Sequence, residues 1–304
     1  MAKQNTRRRI PALVGGLAIA ALTLGFTAAP ATAAPPPPLD YVALGDSYTA
    51  GTGADGLYWP DDETCWQSEG GYVDLVAATG RVDLVANAAC HGAFLVPLGR
   101  ATPINAQLAG LIPGSLNATT DLVSITAGAL DAGSGLALQA CSTPDAQLCS
   151  LTVAGTISNL QSGSLQGALA LTYQTIQAAA PNATITVLGY PRLFDPAQGD
   201  IVVNGITVVP VVNQILVNQA IDALNATIAK AVRASSTNAV FIDVTKRFRG
   251  HAVNSDNPWL VLRLAPVLPN TRLPDANFHP NDAGHQAYAS ALLSTVKPAK
   301  LVKQ

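Results

Sequence analysis

Hydrophobic positions along the chain fall into two kinds of run. Short, nearly continuous stretches of Val, Ile and Leu occur at Tyr41–Leu44, Val82–Val85, Leu122–Thr126, Thr184–Leu188 and Val240–Val244. Apolar residues on both sides of the backbone suit a strand covered on both faces, as in a parallel sheet. Between these runs lie longer segments of helical length, Gly71–Thr79, Leu151–Ala180, Val211–Ala234 and Asp282–Val296. Asn281 or Asp282 offers a cap for the last of them. Strands alternating with helices predict an α/β domain of three layers, a mostly parallel five-stranded sheet with helices on both sides. Ile201–Val217 is largely apolar and is expected to be partly irregular. Ala252–Leu273, rich in Pro, Asn and Leu, reads as a long loop of the kind that lines a substrate cleft. Neither an internal repeat nor a second domain boundary breaks the pattern.

The N-terminal segment follows a different rule. Lys3, Arg7, Arg8 and Arg9 precede an uncharged apolar run, Ala12 to Ala29, and Ala31-Thr32-Ala33 is a small-residue cleavage sequence. This is the pattern of an export signal, with the cut expected before Ala34. Residues 1–33 are thus read as a signal peptide, 34–39 as a proline-rich spacer and 40–304 as one domain. Thr6-Arg7-Arg8 loosely matches a twin-arginine leader, leaving the export route open. The expected location is extracellular, with no membrane span after cleavage.

Removing those four basic residues from the chain's 17 leaves 13 against 19 acidic ones, a formal charge near −6. No Lys/Arg-rich helix or patch remains, which argues against nucleic acid as a partner. Charged residues make up only 12% of the chain, a composition that fits a well-buried enzyme rather than a disordered segment. Cys65, Cys90, Cys141 and Cys149 form an even set in an oxidising compartment, which predicts two disulfides. Three pairings are possible, and the favoured one is Cys65–Cys90 with Cys141–Cys149. Without CxxC spacing or a nearby histidine cluster, a zinc site is not expected. No cofactor is called for, since no Gly-rich phosphate loop is present.

Candidate chemistry sits at the two ends of the domain. Val42-Ala43-Leu44-Gly45-Asp46-Ser47-Tyr48-Thr49-Ala50-Gly51 runs from a strand into a tight turn. Ligands of open α/β sheets gather beyond the carboxyl ends of the strands, where the Ser47 hydroxyl would lie. Serine is a weak nucleophile until a neighbouring base takes its proton. Four histidines are candidates: His91, His251, His279 and His285. His279 precedes the helix start at Pro280-Asn281-Asp282, on a loop free to face another loop. His285 falls inside the helix and reads as a packing or surface residue, and His91 and His251 as loop residues.

Four segments together carry a family resemblance: Tyr41–Gly51; Asn87-Ala88-Ala89-Cys90-His91-Gly92-Ala93; Leu188-Gly189-Tyr190-Pro191-Arg192-Leu193-Phe194; and Phe278-His279-Pro280-Asn281. Over essentially the whole mature chain, the protein resembles the SGNH (GDSL) hydrolases, particularly secreted actinobacterial esterases and lipases. That resemblance implies a flavodoxin-like α/β/α fold and an esterase or lipase acting on small-molecule or lipid esters; a monomer is expected. It makes Ser47 the nucleophile and His279 the base, with the Ser47 and Gly92 backbone N–H groups in the oxyanion hole. Gly92 would let the backbone approach the reacting carbonyl closely.

Two positions depart from the family pattern. Leu130, in Gly128-Ala129-Leu130-Asp131, stands where the family has an oxyanion-binding asparagine, and leucine donates nothing. Ala276 stands where the family has the aspartate that orients the histidine, three residues before it. Asp275 is the nearest carboxylate, giving a Ser-His-Asp triad, while a backbone carbonyl near Ala276 would give a Ser-His dyad. Leu130 also motivates a rival reading, a catalytically weakened or silent binding protein of this fold. A glycan deacetylase or acyltransferase is the other rival.

Overall fold

In a computed structural model, residues 37–54, 65–98, 101–263 and 275–297 are described here. The expected signal peptide lies outside the described residues, as does the second half of the loop expected over Ala252–Leu273. Five strands form one parallel sheet: β1 (Leu39–Gly45), β2 (Val82–Asn87), β3 (Leu122–Thr126), β4 (Thr184–Leu188) and β7 (Ala239–Ile242). A short antiparallel hairpin, β5 (Ile201–Val203) and β6 (Ile206–Val209), stands apart from it. The order β2-β1-β3-β4-β7 is the doubly wound arrangement in which the chain reverses direction across the sheet between β1 and β3.

All five residues of β3 are buried, as are Tyr41 to Leu44, which is why these runs lack polar alternation. The helices are α1 (Tyr72–Ala77), α2 (Ile104–Leu111), α3 (Ser134–Cys141), α4 (Ala146–Gln161), α5 (Ser164–Ala179), α6 (Val211–Ser235) and α7 (Asp282–Val296). α1 packs with α7, and Tyr72 of α1 reaches Ser124 on the sheet. α4, α5 and α6 pack against one another in the other layer. Asn281 caps α7, its side chain accepting the Gly284 N–H at 3.1 Å. Both disulfides, Cys65–Cys90 and Cys141–Cys149, are formed in the favoured pairing.

Three features differ from the sequence expectation. The single helix expected over Leu151–Ala180 begins earlier, at Ala146, where the Asp145 carboxylate caps it by accepting the Leu148 N–H at 2.9 Å. It also breaks into two at Gly163, whose φ of +81° reverses the chain. The apolar segment from Ile201 is a hairpin turned at Asn204-Gly205, both with positive φ, followed by a 25-residue helix. α2 and α3 are additional, short helices rich in alanine and glycine rather than in a regular apolar stripe.

Candidate active site

The topological switch between β1 and β3 opens a crevice at the carboxyl edge, and Ser47 sits there. Gly45 ends β1 with φ +138°, and a Cβ on it would meet the Thr126 carbonyl oxygen of β3 at 2.5 Å. Only glycine lets the two strand ends close so tightly. The Gln107 side-chain amide of α2 clamps the same residue, accepting from the Gly45 N–H and donating to its carbonyl, each at 2.9 Å. Asp46 then turns inward. Its buried carboxylate accepts from the Tyr48 N–H at 3.1 Å, from Thr126 Oγ1 at 2.7 Å and from the Tyr190 hydroxyl. Burial raises its pKa, and these hydrogen bonds oppose the rise. Asp46 therefore braces the turn, while Ser47 points the other way.

Ser47 Oγ lies 2.7 Å from His279 Nε2. His279 Nδ1 lies 3.0 Å from the Asn277 carbonyl. A carbonyl only accepts, so Nδ1 carries the proton and bare Nε2 is the acceptor of the Ser47 hydroxyl. Burial drives the His279 pKa down to about 3; a charged His91 would push the same way, and the Asn277 carbonyl opposes both. The ring is thus neutral at ordinary pH. His279 is held by a strained neighbour: Phe278 has φ +66°, and its carbonyl accepts the Tyr48 hydroxyl at 2.5 Å.

Asp275 lines the same pocket, but the group on Nδ1 is the Asn277 carbonyl, one residue beyond the Ala276 region expected from sequence. The Asn277 side chain in turn bridges the backbone of Arg263, at 2.7 Å to its N–H and 3.2 Å to its carbonyl.

Gly92 also lines the pocket, with φ +77°. A Cβ there would meet only Ala101, at 3.6 Å, so the glycine is required by its left-handed backbone rather than by crowding. Among the described residues, neither the Ser47 nor the Gly92 N–H is bonded to a backbone carbonyl. Leu130 is a half-buried wall of the pocket, and Asp131 beside it accepts the Leu95 N–H at 3.1 and 3.2 Å.

Sequence reasoning passed over four contributors: Tyr48, Tyr190, His91 and Asn277. His91 is no plain surface residue. Its ring lies 5.7 Å from that of His279 and 5.2 Å from Trp66, with Nδ1 2.9 Å from Thr52 Oγ1. Its place directly before Gly92 was the available signal. His285 is fully buried, accepting the Tyr72 N–H at Nδ1 (3.3 Å) and donating from Nε2 to the Thr52 carbonyl (3.2 Å). It ties α7 to the loop after Ser47, as a packing residue. No group of three or more metal-ligating side chains occurs among the described residues.

A doubly wound α/β sheet with a hydroxyl–imidazole pair at its switch point defines an ester-hydrolase class of fold and site. Residues 43–287 match the model of the GDSL-like lipase/acylhydrolase family, and the chain belongs to that family. It is an enzyme of the esterase/lipase type. A lipase of Streptomyces rimosus is 35% identical over 240 residues, 78% of this chain and 81% of that protein. Lipase 1 of Streptomyces coelicolor is 33% identical over 255 residues, 84% and 88% of the two chains. Among solved structures, phospholipase A1 from Streptomyces albidoflavus matches with TM-score 0.66 at 30% identity, over 84% of this chain and 98% of that one. The extracellular lipase from Streptomyces rimosus matches with TM-score 0.67 at 30% identity, over 84% and 99%.

Proposed function

We propose that the protein is an exported serine ester hydrolase that works through Ser47 and His279, with the Asn277 carbonyl as the third partner. The 2.7 Å approach of Ser47 Oγ to His279 Nε2 carries this reading. Ser47 Oγ attacks the ester carbonyl carbon as its proton passes to His279 Nε2. The carbonyl oxygen becomes the oxyanion, received by the Ser47 and Gly92 N–H groups. The carbon–oxygen bond to the alcohol then breaks, and His279 returns its proton to the departing oxygen. Water repeats the sequence on the acyl-enzyme, releasing the acid and restoring Ser47.

The Asn277 carbonyl keeps the proton on Nδ1 and faces the positive charge that His279 acquires. This makes the site a dyad with a backbone acceptor, and Asp275 a residue of the pocket rim. Export rests on the leader at residues 1–33, on the two disulfides and on the extracellular Streptomyces rimosus lipase among the similar structures. Residues 34–39 then form the spacer and 40–304 one catalytic domain.

The test is hydrolysis of p-nitrophenyl esters by the mature protein, Ser47→Ala and His279→Ala, together with labelling by a fluorophosphonate. Each substitution is expected to remove nearly all activity, and Ser47→Ala to abolish labelling. Most of the activity surviving in either variant refutes the assignment.

A further inference from the structure

A second cleft opens at the carboxyl edge of the sheet, between the loop after β4 and the loop after β7. It encloses about 380 Å³, within the range of about 300–1,000 Å³ usual for small-ligand sites. The first of its loops is shared with the catalytic pocket: Pro191 and Leu193 line that pocket, whereas Arg192 and Phe194 line the cleft. Asn218 of α6 fixes this loop. Its side chain accepts the Leu193 and Phe194 N–H groups at 3.1 and 3.3 Å and donates to the Phe194 carbonyl at 2.8 Å. Buried Phe248 anchors the other loop.

The chain carries a net negative charge, yet three cations and one carboxylate line this cleft: Arg192, Lys246, Arg249 and Asp195. The carboxylates here are engaged. Asp195 accepts the Ala197 N–H at 3.1 Å, and Asp243 accepts the Thr245 N–H and hydroxyl at 2.8 and 2.6 Å. Asp222 pairs with Arg192 through Nε and Nη2, at 2.9 and 2.7 Å, which leaves Arg192 Nη1 outside the pair. Lys246 and Arg249 are exposed, and neither makes an ion pair or a side-chain hydrogen bond among the described residues. The N–H groups of Lys246, Arg249 and Gly250 likewise reach no backbone carbonyl among them. Arg247, between the two free cations, turns away to α7 and donates to Ser294 Oγ at 2.6 Å.

We propose that this cleft binds a phosphate group, carried by a lipid headgroup or by a soluble phosphate ester. The inference goes beyond the hydrolase reading and does not depend on it. Two cations three residues apart on one turn repel each other, and an anion between them converts that repulsion into attraction. Phosphate fits better than carboxylate. Its oxygens point in tetrahedral directions, so the Arg249 fork, the Lys246 ammonium and the remaining Arg192 donors can each find an acceptor, whereas a carboxylate offers two oxygens in one plane. A ligand held here lies across a single loop from the catalytic pocket.

The experiment uses the mature protein as Ser47→Ala, so that no ester is turned over, alone and combined with Lys246→Ala, Arg249→Ala or Arg247→Ala. Inorganic phosphate is titrated by calorimetry at low ionic strength, and flotation is measured with vesicles of phosphatidylglycerol or of phosphatidylcholine. Saturable binding is expected, weakened about fivefold by Lys246→Ala and by Arg249→Ala, as for one cation withdrawn from an anionic surface. Arg247→Ala removes the same charge outside the cleft and is expected to change binding less than about twofold. All three side chains are exposed, and unchanged thermal melts confirm the fold. Flotation with phosphatidylglycerol that the two cleft variants weaken identifies a lipid headgroup as the occupant. Phosphate binding without flotation identifies a soluble phosphate ester. Saturable binding of neither probe overturns the proposal, as does binding that Arg247→Ala weakens as much as the cleft variants do.

Discussion

Replacing Tyr48 by phenylalanine removes one oxygen and tests how the base is held. Tyr48 belongs to the nucleophile turn, yet its hydroxyl donates to the Phe278 carbonyl, 230 residues later and directly before His279. Phe278 has φ +66°, a conformation that strains a bulky residue by roughly 1–3 kcal/mol. The loop keeps it because Tyr48 holds its carbonyl, the Val261 carbonyl accepts its N–H at 2.8 Å, and Phe194 meets its ring edge-on at 5.8 Å. Without the hydroxyl, that carbonyl loses its donor in a buried setting, at about 1–3 kcal/mol. A loss near 2 kcal/mol lowers Tm by about 4–8 °C in a domain of this size.

The catalytic effect is larger than the stability effect. Phe278 gains a reason to relax toward negative φ, and His279 moves with it. A displacement of about 1 Å between base and nucleophile lowers kcat about 10²-fold. KM changes little, because the apolar pocket wall on α3 and α6 is untouched. Burial, with the Asp46 carboxylate adding to it, pushes the Tyr48 pKa far up, so the hydroxyl stays a donor and the effect is the same from pH 5 to 9. The assay is steady-state kinetics on a soluble ester with a thermal melt, repeated in a Phe278→Gly background. Glycine accepts positive φ without strain, so removing the hydroxyl there is expected to lower kcat less than it does in the native chain. A Tyr48→Phe enzyme with kcat within about threefold of native refutes the reasoning.

Other expectations are read from the same geometry. Asp275→Asn keeps kcat within about threefold, because the Asn277 carbonyl holds Nδ1; a fall approaching the 10⁴ typical of a lost triad carboxylate would restore the triad. Leu130→Asn, which offers a further donor to the oxyanion, is expected to raise kcat on acetyl esters about 10- to 100-fold. No rise in the acetyl kcat would refute that expectation.

For stability, fully buried His285 has its pKa lowered to about 4, so the unfolded chain binds a proton between pH 6.5 and 4 that the folded chain refuses. Unfolding free energy therefore falls as pH drops through that window, by about 1.4 kcal/mol per unit. Half-buried His279 adds a smaller change of the same sign, while Asp46, with its raised pKa, opposes both lower in the range. Urea midpoints at pH 7 and pH 5 measure it, and equal midpoints would contradict it.

The parts of this fold that announce themselves in sequence are those whose signal is local. β1, β3 and β4 are largely apolar runs because both faces of the sheet are covered, and α7 carries its own cap at Asn281. The hairpin at Ile201–Val209 also has a local signal, the Asn204-Gly205 turn, but an apolar run extending into α6 conceals it. Gly163 sits in a segment helical on both sides, where a glycine is often tolerated, so the break between α4 and α5 depends on how they pack.

The site divides the same way. Ser47 and His279 are marked by the turn and the helix start that present them. Tyr48 is legible as a residue but not as a brace, since its partner is a backbone carbonyl at the far end of the chain. The Asn277 carbonyl is harder still, because every residue has one and only the loop's path selects it.

This reliance on backbone atoms has a consequence for how the enzyme responds to pH. A carboxylate on Nδ1 would raise the pKa of the base and give a charge to neutralise its imidazolium. The Asn277 carbonyl supplies only a dipole, and the apolar pocket disfavours the charged ring in the free enzyme. The charge becomes acceptable when the oxyanion appears, because the two opposite charges then form together, close to one another in a poorly screened cavity. His279 is therefore neutral before substrate arrives even well below pH 6.5, since burial lowers its pKa to about 3. An acid limb near pH 6.5, the mark of an ordinary histidine base, is absent from this scheme. What limits activity in acid is the fold, through groups such as His285. The decline of rate and the decline of unfolding free energy are then expected to follow the same pH course.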